Sequence, residues 1–385
     1  MTLDTPSEHL APLQQSPLHR EHEALGAAFT DFGGWQMPVR YQSDLIEHHA
    51  VRDAAGLFDI SHMAEISVTG ADAGAFLDYA LAGRLSTLPL LKAKYSLLLD
   101  ESGGIVDDLI VYASAEAEFL VVANASNRHA VVEALVARQS GFDVQLADLT
   151  EQLALIAVQG PAARAVLAAV DDLELRDDLS RGRTLETLGY YAAMGMAWHG
   201  TSVFVARTGY TGEDGFELYV DAEQAVDLWR ALLAAGQAYG LVPCGLAARD
   251  TLRLEAGMPL YGHELGRSIQ PVQAGLGRVV VTDKPAFVGK AAIEAGPAPD
   301  ARVLVGLSTE GRRAPRADYV VLHGDTEVGV ITSGALSPTL GHPIAMAFVD
   351  PAHREPGTVL DVDVRGTRIA ATVVSLPFYQ RKATS

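Results

Sequence analysis

The sequence predicts an α+β fold that ends in a separate all-β domain. Two observations carry this. From Asp31 to about Asp283, apolar strand-like runs alternate with segments of helical spacing. From about Lys284 the chain turns rich in Val, Gly and Pro, with short alternating runs (VLVGLS, EVGVITSG, AMAFVD, VLDVDV, RIAATVVS) that read as a small barrel or sandwich. A chain of 385 residues has ample length for two or three domains with their own cores.

The elements follow in order. DFGGWQMPVRYQS (Asp31 to Ser43) reads as a Gly33-Gly34 turn leading into an irregular segment. DLIEHHAVRDAAGLFD (Asp44 to Asp59) has helical spacing and a glycine stop at Gly56. Ala64 to Thr69 is a strand, followed by a helix begun near Asp72. Tyr95 to Leu99 and Ile105 to Tyr112 flank D-E-S-G-G as a hairpin. Phe119 to Ser126 is a further strand, with Asn124 or Ser126 placed to cap the next helix. ALIAVQGPAARAVLAAV is a buried strand, a Gly160-Pro161 break and a helix. SVFVARTGYTGEDGFELYV is a strand, a glycine-rich loop and a strand, and AEQAVDLWRALLAAGQAYG is an amphipathic helix ended by Gly240.

Composition narrows the function. A net charge of −19 repels nucleic acid and anionic membranes, and no apolar run approaches the roughly 20 residues that span a bilayer. The polar start, Met1 to Leu18, lacks the apolar core of a secretory signal and the Arg-rich pattern of a transit peptide, which predicts a disordered leader and a cytoplasmic protein. The single cysteine, Cys244, excludes an internal disulfide and Cys-based metal clusters, and reads as a buried thiol. His48 and His49 point to different faces of a helix, one buried and one exposed, rather than at one metal ion. No metal site is expected.

Three stretches can carry chemistry. Strand periodicity puts Val106, Asp108, Ile110 and Tyr112 on one face and Asp107 on the other. The Asp107-Asp108 pair has two equally weighted readings. Either one acid bonds the glycine turn while the other meets solvent, or Asp108 faces a ligand, with its pKa raised by desolvation and suited to proton transfer. In RTGYTGEDGFELYV, Gly209, Gly212 and Gly215 recur every third residue, in neither the phosphate-loop nor the dinucleotide spacing. The plain reading there is a surface loop with solvated Glu213 and Asp214, whereas Glu217 lies in the following strand and points opposite to Phe216 and Leu218. In CGLAARDTLRLEAGMPLYGHEL, Arg249, Arg253 and Glu255 share a helical stretch closed by Gly257 and Pro259, where Arg249 and Asp250 also fit simple surface ion pairs.

Together and in this order, DFGGWQMPVRY, DISHMAEI, KYSLLLDESGGIVDDLIVY, ALIAVQGP, RTGYTGEDGFELYV, CGLAARDTLRLEAGMPLYGHEL and GVITSGALSPTLGHPIAMAFVD resemble the glycine-cleavage T-protein family, the tetrahydrofolate-dependent aminomethyltransferases. The resemblance runs from Asp31 to Asp350. It implies a three-domain, cloverleaf-like folate-binding fold. The expected division is a leader over 1–18, a folate-binding region of two interleaved α+β subdomains over 19–283, and a β-barrel over 284–385. It also implies that an aminomethyl group on the lipoyl arm of the H-protein passes to tetrahydrofolate, giving 5,10-methylene-tetrahydrofolate, ammonia and the reduced carrier. The implied partners are the H-protein and, with it, the P- and L-proteins. By motif match the essential aspartate is Asp108, with Tyr95, Tyr112, Glu217 and Arg249 as the other folate-binding residues. Met63 falls where the family approaches folate, and Tyr379 in LPFYQRK stands as a further contact. Arg278 occupies a position usually aromatic, so either one folate-edge contact is missing or Arg278 reaches the glutamate carboxylates.

The chemistry of the residues agrees with the resemblance. A pterin edge presents two adjacent donors, which a carboxylate such as Glu217 accepts together. Arg249 then either orients that carboxylate or bonds the pterin carbonyl. Asp108 can accept a proton, stabilise a developing iminium, or fix the folate in place. Two rivals remain distinguishable: a demethylase of the same scaffold, which should diverge in its carrier-facing loops, and a non-catalytic folate-binding relative, which should lack the Asp-Asp pair and GYTGEDGFE.

Overall fold

The computed structural model describes residues 12–381. Of the leader expected over 1–18, residues 1–11 lie outside the described residues. The remainder is seated on the fold: Gln14 bridges to Trp35, Ser16 Oγ donates to Asp59 at 2.5 Å, and Leu18 is fully buried.

Two sheets and a barrel supply three cores. The seven-stranded sheet runs Leu173–Leu175, Ala193–Trp198, Thr201–Ala206, Gly215–Asp221, Leu153–Gln159, Ala55–Asp59, Leu241–Pro243. Only its last pair, Leu241–Pro243 on Ala55–Asp59, is parallel. The helix Ala225–Gly236 covers it by burying Leu228, Trp229 and Leu232 on one face, each worth roughly 1.5–3 kcal/mol when fully removed from water. A 3₁₀ turn then reaches Gly240, whose φ of +72° ends the helix where the sequence predicts.

The five-stranded sheet runs Ala93–Leu99, Ile105–Ala115, Glu118–Ala123, Ala64–Thr69, Gln145–Asp148, all antiparallel. Helices Ala73–Ala80 and Arg128–Arg138 pack on its far face. The hairpin stands as expected, and its turn is closed by Asp100 rather than by either member of the Asp107-Asp108 pair: Asp100 Oδ1 accepts from Ser102 N and Gly104 N. The six strands from Val303–Thr309 to Thr367–Val374 close into a barrel.

Two local expectations are corrected. The helix from Asp44 ends at Asp53, and Gly56 is no stop but a member of the buried strand Ala55–Asp59, where a Cβ would collide with Val51 and Cys244. The 3₁₀ turn Ala125–Asn127 and the helix after it take no side-chain cap, because Asn124 turns its amide elsewhere. His48 is buried and bonded to Thr251 and Thr339, His49 is half-buried, and no group of ligating side chains fit for a metal occurs among the described residues.

Candidate functional site

The two sheets, the helix Leu246–Glu255 and the segment after it face one another across a cavity of about 290 Å³. The five-stranded sheet contributes Tyr95, Asp108, Ile110, Val122 and Asn124; the other side contributes Leu155, Tyr191, Tyr210, Glu217 and Tyr219. Arg249, Met63 and Met258 to Leu260 complete the wall. A second, more open cavity of about 460 Å³ shares Phe32, Tyr210, Arg249 and Leu260 with the first and adds His263, Arg316 and Thr332 to Gly334 from the barrel side. An apolar cleft therefore adjoins a more open vestibule of mixed character.

Glu217 is placed by the glycine-rich loop. Gln159 Nε2 donates to the Thr208 carbonyl at 3.1 Å, and its Oε1 accepts from Thr211 Oγ1 at 2.9 Å. That amide lies flat where side chains at Gly209 and Gly215 would stand, which accounts for two of the three glycines; the third, Gly212, has φ +79°. Glu213 and Asp214 are not solvated as expected. Arg207 takes Asp214 in two bonds of 2.7 and 2.9 Å, and Glu213 accepts from Arg52 at 2.9 Å and Tyr379 at 2.8 Å. The rigid loop then delivers Glu217 into the cleft, opposite Phe216 and Leu218 in the sheet core.

The Glu217 carboxylate is held at one oxygen: Oε2 accepts from Thr208 at 2.5 Å and Tyr112 at 3.4 Å. Burial raises its pKa, with Thr208, Arg249 and Tyr112 pulling the other way. Tyr112 is fully buried behind it and does not line the cleft.

Arg249 makes no ion pair with Glu217 within 4 Å among the described residues, though its charge acts on that carboxylate. Its guanidinium lies over the Tyr210 ring at 4.5 Å and borders both cavities, and its pKa is lowered by burial. Tyr210 is fixed by donating to the Pro259 carbonyl. Close by lies His62, fully buried, edge-on to Phe32, with both ring nitrogens unpartnered among the described residues; burial and the nearby Arg249 hold its pKa down to about 3.

At the other end Asp108 is half-buried. Tyr95 Oη donates to its Oδ2 at 3.0 Å and Asn124 Nδ2 to its Oδ1 at 2.8 Å. Burial raises its pKa. Asp107 is fully buried on the other face of the strand and accepts from Asn124 N, Asn124 Nδ2 and Asn127 Nδ2. Neither acid reads as the solvated member of a turn. Met63 lines the cleft. Tyr379 borders neither cavity but packs its ring under Arg52 at 4.0 Å, and Arg278 is exposed outside both. Sequence reasoning missed Asn124, Thr208, Tyr210 and Gln159; Asn124 and Thr208 carried a local signal, as polar residues where apolar strands end.

Two sheets facing each other across one acid-ended cleft, with a closed barrel bordering the vestibule beside it, define a multidomain enzyme fold with its site at the junction. The GCVT N-terminal domain matches residues 18–284 and the glycine cleavage T-protein C-terminal barrel domain matches residues 302–380. The aminomethyltransferase of Cutibacterium acnes is 56% identical over 374 residues, covering 97% of this chain and all of that one. That of Streptomyces coelicolor is 52% identical, covering 96% and 98%. The crystal structure of glycine cleavage system aminomethyltransferase T from Bartonella henselae superposes with a TM-score of 0.86 at 38% identity, covering 96% and 98%. The chain belongs to the glycine cleavage T-protein family.

Proposed function

We infer that the chain is the aminomethyltransferase of a glycine cleavage system. It moves the one-carbon unit from the aminomethyl-dihydrolipoyl arm of an H-protein to tetrahydrofolate, and 5,10-methylene-tetrahydrofolate, ammonia and dihydrolipoyl carrier leave. One observation carries the reading of the site: Glu217 and Asp108 face a single apolar cleft from opposite walls, each anchored by hydroxyl or amide donors rather than by a cation.

In this reading Glu217 accepts the paired donors of the pterin edge. Thr208 and Tyr112 occupy Oε2 and leave Oε1 for the ligand. Arg249, whose donors meet no acceptor among the described residues, bonds the pterin carbonyl. The carboxylate-bearing tail runs into the vestibule towards Arg316 and His263. At the far end two folate nitrogens each bond the transferred carbon and lose a proton, while the C–N bond to the amine and the C–S bond to the carrier break. One proton must reach the departing amine and one the departing sulfur. In this reading Asp108 takes and returns them, or stabilises the iminium between the steps. The apolar walls Ile110, Val122 and Leu155 keep water from that iminium. The P- and L-proteins as further partners, and a cytoplasmic location, belong to the same reading.

The test mixes purified protein, tetrahydrofolate and aminomethyl-loaded H-protein, and measures ammonia and methylene-tetrahydrofolate, with Asp108→Asn alongside. Carrier-dependent release that collapses in the variant supports the reading. Folate binding without release would point instead to a demethylase or a folate-binding protein.

A further inference from the structure

The cleft explains Asp108 but leaves a second fully buried aspartate directly behind it. Asp107 has no cation within ion-pair distance among the described residues, and there every hydrogen bond its carboxylate accepts comes from an asparagine. Asn124 gives it two, from the backbone N at 3.0 Å and from Nδ2 at 2.8 Å, and Asn127 Nδ2 adds a third. The same Asn124 Nδ2 reaches Asp108 Oδ1 at 2.8 Å and the Asp108 carbonyl at 3.0 Å. One amide group thus spans two carboxylates that alternate across a strand, and the second carboxylate fixes the amide that holds the first.

We propose that Asn124 and Asp107 are positioning residues for Asp108: Asn124 clamps the Asp108 carboxylate towards the cleft, and Asp107 anchors the clamp and sets how readily Asp108 ionises. The proposal rests on the reading that Asp108 serves the one-carbon transfer. One buried and one half-buried carboxylate joined by a neutral amide do not both ionise freely, because each charge disfavours the other. Asp107 is accordingly pushed up to about 7, by burial first and by Asp108 second. The groups facing the pair are Tyr95 from the neighbouring strand, Asn124 and Asn127 from the turn, Tyr191 and Tyr210 across the cleft, Tyr261 beyond the helix, and Arg249, whose positive charge favours an ionised Asp108.

Opposite signs test it. Asn124→Ala removes a donor to both carboxylates, so the acid limb of the kcat–pH profile moves to higher pH and kcat falls roughly tenfold as Asp108 loses its orientation. Asp107→Asn removes the repelling charge, and the limb moves to lower pH. Asn127→Ala touches only Asp107; it favours protonated Asp107 and moves the limb down by less. Thermal melts identify any variant that does not fold, and Asn127→Ala, which alters nothing in the cleft wall, keeps the test alive if Asn124→Ala fails. Folded variants with altered kcat but an unmoved acid limb, beside an active wild type, would overturn the proposal. A wild type that never releases ammonia from the carrier would instead defeat the functional reading beneath it.

Discussion

Tyr95 and Asp108 are diagonal neighbours on adjacent strands. Tyr95 pairs with Ile110 in the ladder and Leu97 with Asp108, so the Tyr95 hydroxyl leans across to Asp108 Oδ2 at 3.0 Å. Hydroxyl and carboxylate both face the cleft because the strand period sets them on one side of the sheet. The bond lowers the Asp108 pKa against the stronger upward push of burial, and the tyrosine's own pKa is raised, by burial first and by Asp108 second.

Tyr95→Phe should therefore leave the fold intact and cost kcat. A hydrogen bond to a charged group is worth about 1.5–3 kcal/mol, so a loss of roughly ten- to a hundredfold is expected in kcat/KM for the folate. The acid limb of the pH–rate profile should move to higher pH, because the ionised form of Asp108 has lost a donor. Steady-state kinetics across pH check both, and an unchanged limb would mean that Tyr95 only lines the wall.

The hairpin of which this pair is part was legible because its signals are local: alternation on both strands and an Asp-Glu-Ser-Gly-Gly turn. Glu217 was legible for the same reason, as an acid set between apolar neighbours in its strand. What surrounds them was not. Asn124 is 16 residues from Asp108, and Arg52 is 203 residues from Glu255. No periodicity reports a contact that only tertiary packing creates. Gly56 misled for a different reason. A glycine after helical spacing reads as a stop, but here it is small so that Val51 and Cys244 can pack against strand backbone.

Arg249 gives a binding prediction. Its guanidinium is stacked on Tyr210 and, among the described residues, meets no hydrogen-bond acceptor, which leaves its donors open to a ligand. Arg249→Ala should raise the Kd for tetrahydrofolate by roughly 10- to 100-fold, the worth of one charge-assisted bond. Arg249→Lys should recover only part of this, since an ammonium cannot lie flat on the ring. Fluorescence titration or calorimetry reads the effect, and tight folate binding by the alanine variant would remove Arg249 from the site.

Glu217 trades stability for binding. Its pKa is raised in the folded state, so folding binds more protons there and stability falls as pH rises from the unfolded value, about 4.3, through the folded one. Glu217→Gln should thus melt at a higher temperature than wild type at pH 8 and lose that advantage towards pH 4. It should also bind tetrahydrofolate weakly, because a neutral amide lacks the charge that strengthens the bonds from the pterin donors. Thermal melts at the two pH values, paired with binding at pH 8, separate this from ordinary destabilisation, which would lower both together.

Glu255 shows the opposite linkage at the joint between the helices and the barrel. Its carboxylate is fully buried. Oε2 accepts from Arg52 at 2.7 Å and Thr339 at 2.7 Å and lies 3.2 Å from His48 Nε2, while Oε1 accepts from Ser337 Oγ at 2.5 Å and the Thr339 backbone at 3.0 Å. Burial alone would raise its pKa, but His48, Ser337 and Arg52 outweigh it and hold the value down to about 2. A depressed pKa contributes stability above the unfolded value near 4.3 that is lost as pH falls from there towards 2. Ser337 and Thr339 lie on the loop that follows the barrel strand Thr326–Leu336, so this contribution binds the barrel to the helices Asp44–Asp53 and Leu246–Glu255. Glu255→Ala should strand Arg52 without its main partner and cost about 3–5 kcal/mol, the cost of breaking a buried pair from one side. Denaturant melts of wild type and variant at pH 7 and pH 3 check it: the gap should narrow in acid, and a gap of equal size at both would mean that lost packing, not charge, holds the joint.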